Sequence, residues 1–221
     1  MLTEGLRKTG DMNMKVLLLN GSTRKNGCTY LALSEVAKAL ETDGVETEII
    51  QMGGAVRDCI GCNGCAGKGQ CVFGDDMVNE MIAKAKEADG FVGSPVYYAH
   101  PSGQILSLLD RVFYAGVEAF LHKPAAVVVT ARRAGTTASL DVLNKYLLNA
   151  EMPVVSSTYW NMVFGPAPEL VEQDKEGLQT MRNLGRNMAW LLGCIEAGRR
   201  QGRTPPVTFR IRAGLRLGMA R

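Results

Sequence analysis

An α/β fold built on one doubly wound, five-stranded parallel sheet is what the 221-residue sequence predicts, and three features predict it. Short apolar runs of strand length recur five times. Segments with helical spacing of their apolar residues separate them. The first run ends in a glycine-bearing turn that leads straight into a helix. Strands alternating with helices in this way give a parallel sheet covered on both faces.

In chain order, Val16 to Asn20 is an apolar run ending at Gly21, the pattern of a fully buried parallel strand. Residues 28–42 carry Leu31, Leu33, Val36, Ala37 and Leu40 at helical spacing, and Asp43-Gly44 ends that helix. Val45 to Met52 reads as the second strand. Residues 53–74 break the pattern with seven Gly and four Cys. Asp75-Asp76 open a helix with Met77, Met81, Ile82 and Ala85 on one face, acids being favourable at a helix N-terminus. Asp89 to Ser94 is the third strand, stopped by Pro95, and residues 102–120 form a helix. Pro124 to Thr130 is a Val-rich fourth strand, 137–149 a helix, Met152 to Trp160 a fifth strand and 169–196 a long final helix.

The composition, 46% hydrophobic and 21% charged, is that of an ordinary globular domain and excludes collagen-like and disordered chains. No apolar run approaches the ~20 residues that span a bilayer, so neither a membrane nor a secretory signal is expected. The net charge of +3 is unevenly spread: residues 199–221 hold seven Arg and no acid, which leaves the rest mildly acidic. Without interleaved aromatics this basic tail reads as a segment lying over protein surface, and no nucleic-acid partner is expected. Residues 1–13, polar with two Gly, read as a flexible leader, and residues 14–198 as the domain. Six cysteines in a chain with no signal point to the cytoplasm and to thiolate chemistry.

Gly21 to Thr29 joins the first strand to the first helix at the edge where ligands bind in a doubly wound sheet. It combines two Gly, hydroxyl and amide side chains and a helix N-terminus, the parts that cradle a phosphate. It is neither a Walker A loop nor G-x-G-x-x-G. A plain polar turn is the competing reading. Two more loops share this edge. Ser94 to His100 brings Tyr97 and Tyr98 to flank a flat ring, and Ala131 to Thr137 brings Arg132, Gly135 and Thr136 with their N–H groups and charge. Together the three loops suit one planar, phosphate-bearing cofactor.

Over residues 14–165 the chain resembles the flavodoxin-like NADPH-dependent FMN reductases, and within them the iron–sulfur flavoproteins. The resemblance rests on Gly21-Ser22-x-Arg24-x-x-Gly27-x-Thr29, on Ser94-Pro95-Val96-Tyr97 and on Leu109-Asp110-Arg111. It implies the strand order 2-1-3-4-5 and FMN, with Ser22, Thr23, Arg24, Asn26, Cys28 and Thr29 about the phosphate. Pro95, Val96, Tyr97, Tyr98, Arg132, Gly135 and Thr136 would line the ring. Cys28 stands where the family usually has Asn, which leaves its backbone N–H to serve the phosphate and puts the side-chain contact in question.

Cys59-x-x-Cys62-x-x-Cys65-x5-Cys71 is the most specific feature of the sequence. It lies in a loop, residues 56–74, inserted after the second strand. Thiolates at three-residue steps converge on a compact core, as in ferredoxin ligation of [4Fe–4S]. Structural zinc more often uses two knuckles far apart. Zinc, a disulfide pair and a metal-free remnant stay open as alternatives. The iron–sulfur flavoproteins carry the same compact motif, so the resemblance implies a [4Fe–4S] cluster.

The function expected is therefore a flavin redox enzyme that couples FMN to a cluster, with no protein acid or base as catalyst. Its partners would be a ferredoxin-like carrier or NAD(P)H, with a small acceptor such as a quinone, in a homodimer or homotetramer. The alternative is an NAD(P)H-dependent FMN or quinone reductase with no cluster. His100 and His122 read as a solvent-facing and a turn residue, Asp110-Arg111 as an internal salt bridge or an interface pair, and Cys194 as a buried small hydrophobe.

Overall fold

A computed structural model describes residues 14–94 and 97–208. The leader 1–13, Pro95, Val96 and the tail from residue 209 lie outside the described residues.

Strand β1 (Lys15–Asn20) is the centre of the molecule. It pairs in parallel with β2 (Glu46–Gln51) on one side and β3 (Gly90–Ser94) on the other, in registers that set Asn20 opposite both Gln51 and Ser94. Strand β4 (Ala125–Val127) adds to β3, so the main sheet runs β2-β1-β3-β4. Alternate side chains of β1 point to opposite faces, as pleating requires. Val16 and Leu18 pack with α1 (Cys28–Thr42) and α6 (Lys175–Arg200), while Leu17 and Leu19 pack toward α2 (Val78–Lys86), α3 (Gly103–Gly116) and α4 (Thr136–Asn149). Both faces are covered, which is why this strand carries no alternation of polar residues.

Four expected elements differ from the structure. The fourth strand divides: Val128 N still donates to Gly93 O at 2.8 Å, but Val129 N donates to Asn161 O at 2.9 Å, where β5 (Val129–Ala131) begins pairing with β6 (Met162–Phe164). The main sheet therefore has four strands, with β5 and β6 as a two-stranded parallel pair beyond it. The fifth strand is not at 152–160, where Val154 makes only an isolated bridge to Ala125. Past that bridge the chain is held by α6 instead. Asn187 Nδ2 donates to Ser156 O at 2.8 Å, and Ser157 Oγ donates to Thr180 O at 2.6 Å.

The final helix divides into α5 (Pro168–Val171) and α6, because Asp174 between them accepts from Gly177 N at 2.9 Å and from Phe164 N at 2.7 Å. That is an N-cap, and it restarts the helix. Finally, α2 starts at Val78 rather than at Asp75-Asp76, since Asp76 is turned inward to a salt bridge with Arg111. Residues 52–77 contain neither strand nor helix.

Candidate functional site

Asn20, fully buried at the end of β1, shapes the turn that follows it. Its amide donates to Gln51 Oε1 at 2.7 Å and to Lys25 O at 3.2 Å, and its Oδ1 accepts from Ser22 N at 3.2 Å. Gln51 closes the arrangement by donating to Ser22 O at 2.6 Å. A strand-end amide and its neighbour on β2 thus hold the loop from below. At its far end Gly27 is the N-cap of α1 and supplies no side-chain cap, and no acid sits in the first turn. The first-turn N–H groups of a helix have no intrahelical partner, and the helix dipole makes that end positive. That end of the helix has the chemistry that suits an anion.

Ser22, Thr23, Arg24, Cys28 and Thr29 line one cleft together with Tyr97, Thr130, Ala131, Arg132, Gly165 and Pro166, enclosing about 640 Å³ open to solvent. A second cleft, which shares Ala131 and Arg132, is lined by Tyr98, Ala99, Arg133, Ala134 and Gly135. The three expected loops therefore meet at one edge. Asn26 and Thr136 line neither cleft: Asn26 is exposed on the loop, and Thr136 is buried as the first residue of α4. Gly135 has φ +89°, a left-handed backbone that a side chain would strain, and it turns the chain into α4. Thr130, Gly165 and Pro166 were not expected from the sequence. The signals were there, a polar residue ending a Val-rich run and a Gly-Pro turn after a strand.

Two contacts cross the cleft floor. Thr29 Oγ1 and Thr130 Oγ1 share a hydrogen bond of 2.9 Å, and the Cys28 thiol donates to Gly165 O at 3.5 Å. Burial pushes the Cys28 thiol above its ordinary value, so it is held as a neutral thiol.

The cysteine loop forms a second site. Cys59, Cys62, Cys65 and Cys71 all line one pocket, about 350 Å³ with the open solvent at its mouth included, walled by Asp58, Phe73, Arg111 and Tyr114. Side chains pin this loop where no ladder does. Asn79 of α2 accepts from Cys71 N at 2.8 Å and donates to Cys71 O at 2.9 Å. Gln104 accepts from Val56 N at 2.6 Å, and Tyr114 donates to Asn63 Oδ1 at 3.0 Å. The four thiols are free, Cys59 and Cys62 exposed and the other two half-buried. Among the described residues no three His, Cys, Asp or Glu side chains gather around a single metal position.

His100 Nδ1 lies 2.6 Å from Pro101 O, and His122 stands beside Glu151, so neither enters a cleft. Asp110-Arg111 is not one pair: Asp110 accepts from Tyr146 Oη at 2.5 Å, and Arg111 pairs with Asp76. Cys194 is exposed rather than buried, because α6 turns that position away from the sheet.

A family model described as NADPH-dependent FMN reductase matches residues 14–167. An iron-sulfur flavoprotein of Methanocaldococcus jannaschii is 35% identical over 193 residues, 83% of this chain and all of that protein. An iron-sulfur flavoprotein of Archaeoglobus fulgidus is 31% identical over 175 residues, covering 76% of this chain and 86% of its own length. Among solved structures, an archaeal flavodoxin superposes with a TM-score of 0.55 at 15% identity, over 81% of this chain and 99% of the other. The last likeness establishes a flavodoxin-like fold.

Proposed function

The chain belongs to the NADPH-dependent FMN reductase family and is a flavin-dependent oxidoreductase, and from that premise we propose that it couples FMN to a [4Fe–4S] cluster for electron transfer. The observation that carries the cluster half is the convergence of Cys59, Cys62, Cys65 and Cys71 on one cavity. These four thiolates would hold the cluster, and the likeness to iron-sulfur flavoproteins supports it.

The FMN phosphate would lie on the uncapped N-terminus of α1, with Ser22, Thr23, Arg24 and Thr29 beside it and the Cys28 N–H beneath. Tyr97, Tyr98, Arg132 and Gly135 would border the ring, with Pro95 and Val96 from the same loop; Asn26 and Thr136 lie outside the clefts, on the same two loops. When bound, FMN exchanges one or two electrons and the cluster exchanges one, which lets a two-electron partner meet a one-electron carrier of the ferredoxin kind. The chain's own work is to bind and orient. Arg24 and the α1 dipole offset the phosphate charge, and Asn20 and Gln51 keep the loop in shape. A reducing cytoplasm is the compartment we propose for it, since free thiols and such a cluster persist there. Among the described residues no helix is long and apolar enough to cross a membrane. We take the working form to be a homo-oligomer.

A second reading is an NAD(P)H-dependent FMN or quinone reductase without a cluster. The cleft beside the proposed flavin site favours it: Arg132 and Arg133 line open space next to the uncapped N-terminus of α4, a surface that suits a phosphorylated dinucleotide.

The test is an absorption spectrum of anaerobically purified protein, with iron and acid-labile sulfide measured on the same sample. Flavin bands with about four iron per chain, lost in Cys62→Ser while the flavin stays, support the coupled enzyme. Flavin without iron after anaerobic reconstitution, with rapid NAD(P)H oxidation, establishes the second reading instead. No flavin bound on adding FMN overturns both.

A further inference from the structure

Arg111 lies in the middle of α3 with 2% of its side chain exposed, and every partner but one belongs to the cysteine loop. Nη1 donates to the Asp76 carboxylate and to Arg57 O at 3.2 Å. Nη2 donates to Cys71 Sγ at 3.3 Å and to Phe73 O at 3.3 Å. Nε has no partner. Asp76, 4% exposed, is the remaining partner's charge and stands just ahead of α2. A buried ion pair of this kind is weak evidence of stabilisation, since well-packed apolar residues of similar volume are often as stable. Anchoring alone is served by the carbonyls of Arg57 and Phe73. It does not account for a guanidinium N–H spent on a sulfur.

We propose that Arg111 is a positioning residue for the redox site: its Nη2–H fixes the Cys71 sulfur toward the cavity and, by hydrogen bonding to it, sets the reduction potential of the cluster that the four cysteines hold. This rests on the cluster reading above and adds to it a determinant outside the cysteine motif. Hydrogen bonds to ligand sulfurs favour the more negative, reduced state and raise the potential. Asp76 cancels the guanidinium charge, so the directed N–H is what acts on the sulfur. Only a planar fork reaches Asp76 with one arm and Cys71 with the other. A lysine offers a single ammonium in place of that rigid fork.

The experiment compares the anaerobically reconstituted wild-type holoprotein with Arg111→Lys, which keeps the charge that Asp76 needs. EPR-monitored redox titration should show the Arg111→Lys cluster at lower potential, by at least tenfold in the oxidised-to-reduced ratio, ~59 mV for one electron. Iron content and the flavin potential should match the wild type. A measurement on the unaltered protein stands beside it. With ¹⁵N-arginine incorporated, pulsed EPR of the reduced wild-type cluster should detect a coupled guanidinium nitrogen. Full iron with an unchanged potential, or no ¹⁵N coupling in the wild type, overturns the role of Arg111 and leaves the cluster reading standing. Iron lost from Arg111→Lys while flavin is kept overturns it too, in favour of cluster assembly. No iron in the reconstituted wild type overturns the cluster reading and this inference with it.

Discussion

Thr29, in the first turn of α1, shares a buried hydrogen bond of 2.9 Å with Thr130 at the end of the fourth apolar run, hydroxyl to hydroxyl. The bond joins the phosphate loop to the opposite wall of the cleft. It also restricts what Thr29 offers a ligand. One hydroxyl proton serves the pair, so Thr29 donates toward a phosphate only when Thr130 donates to it. Thr29→Val should then weaken FMN binding by about 1–3 kcal/mol, through the lost donor and the stranded Thr130 hydroxyl. Thr130→Val should weaken it less, because Thr29 keeps its proton for the phosphate. Flavin fluorescence quenching titrations measure both. Equal affinities for wild type and Thr29→Val would remove Thr29 from the site.

Cys28 gives a prediction with a definite sign. Burial raises its thiol above the ordinary 9.0. The neutral form is favoured in the fold, so its contribution to stability is complete below pH 9.0 and is lost as pH rises through the folded value. Iodoacetamide at pH 8 should therefore modify exposed Cys194 well before Cys28, and saturating FMN should slow Cys28 further. Peptide mapping by mass spectrometry resolves the two. Equal rates at pH 8 would mean the thiol is neither buried nor covered by the cofactor.

Much of the fold was legible in the sequence because burial on both faces leaves a strong signal. The run Val16 to Leu19 has no polar residue, and β1 is found there, at Lys15–Asn20. The outer elements were harder for a local reason: polar side chains, not apolar periodicity, decide where they stop. Asp174 restarts a helix that looks continuous in its apolar spacing, and Ser156 and Ser157 bind α6 instead of extending a strand. At the site, the loop residues with hydroxyls and charge were readable. Their scaffold was not, since Asn20 and Gln51 act through contacts 31 residues apart. The Arg111 link to Cys71 spans 40 residues and has no local signature at all.

Glu48 on β2 predicts the acid limit of stability. Its carboxylate is 2.6 Å from Lys15 Nζ and also pairs with Lys84, tying β1, β2 and α2 together. The hydrogen bond from Lys15, then that from Lys84, lowers its pKa below 4.5. A carboxylate lowered in the fold stabilises above its unfolded value and loses that contribution as pH falls through the folded one. Stability from this group should hold above about pH 4.5 and fall below it. Partly exposed pairs are worth roughly 0.2–1 kcal/mol each. Urea midpoints from pH 7 to pH 3 should therefore fall less steeply for Glu48→Gln than for wild type. Parallel curves would mean the pairs contribute nothing.

Tyr98 combines a left-handed backbone with an exposed side chain at the mouth of the second cleft. Its φ is +60°, in a turn closed by Tyr97 N donating to His100 O at 2.9 Å, and its ring is 99% exposed. A bulky residue in the left-handed region costs about 1–2 kcal/mol, and such strain persists chiefly at functional positions. Exposure removes any packing reason to keep a tyrosine there. Glycine adopts this conformation freely but loses more entropy on folding, about 0.5–1 kcal/mol, so Tyr98→Gly should stabilise the flavin-free protein by up to about 1 kcal/mol. The same change should weaken FMN binding, because the ring proposed to border the flavin is gone. Thermal denaturation without flavin and an FMN titration read the two effects in opposite directions. If the variant is less stable and binds FMN as before, the ring supports the turn and has no part in the flavin site.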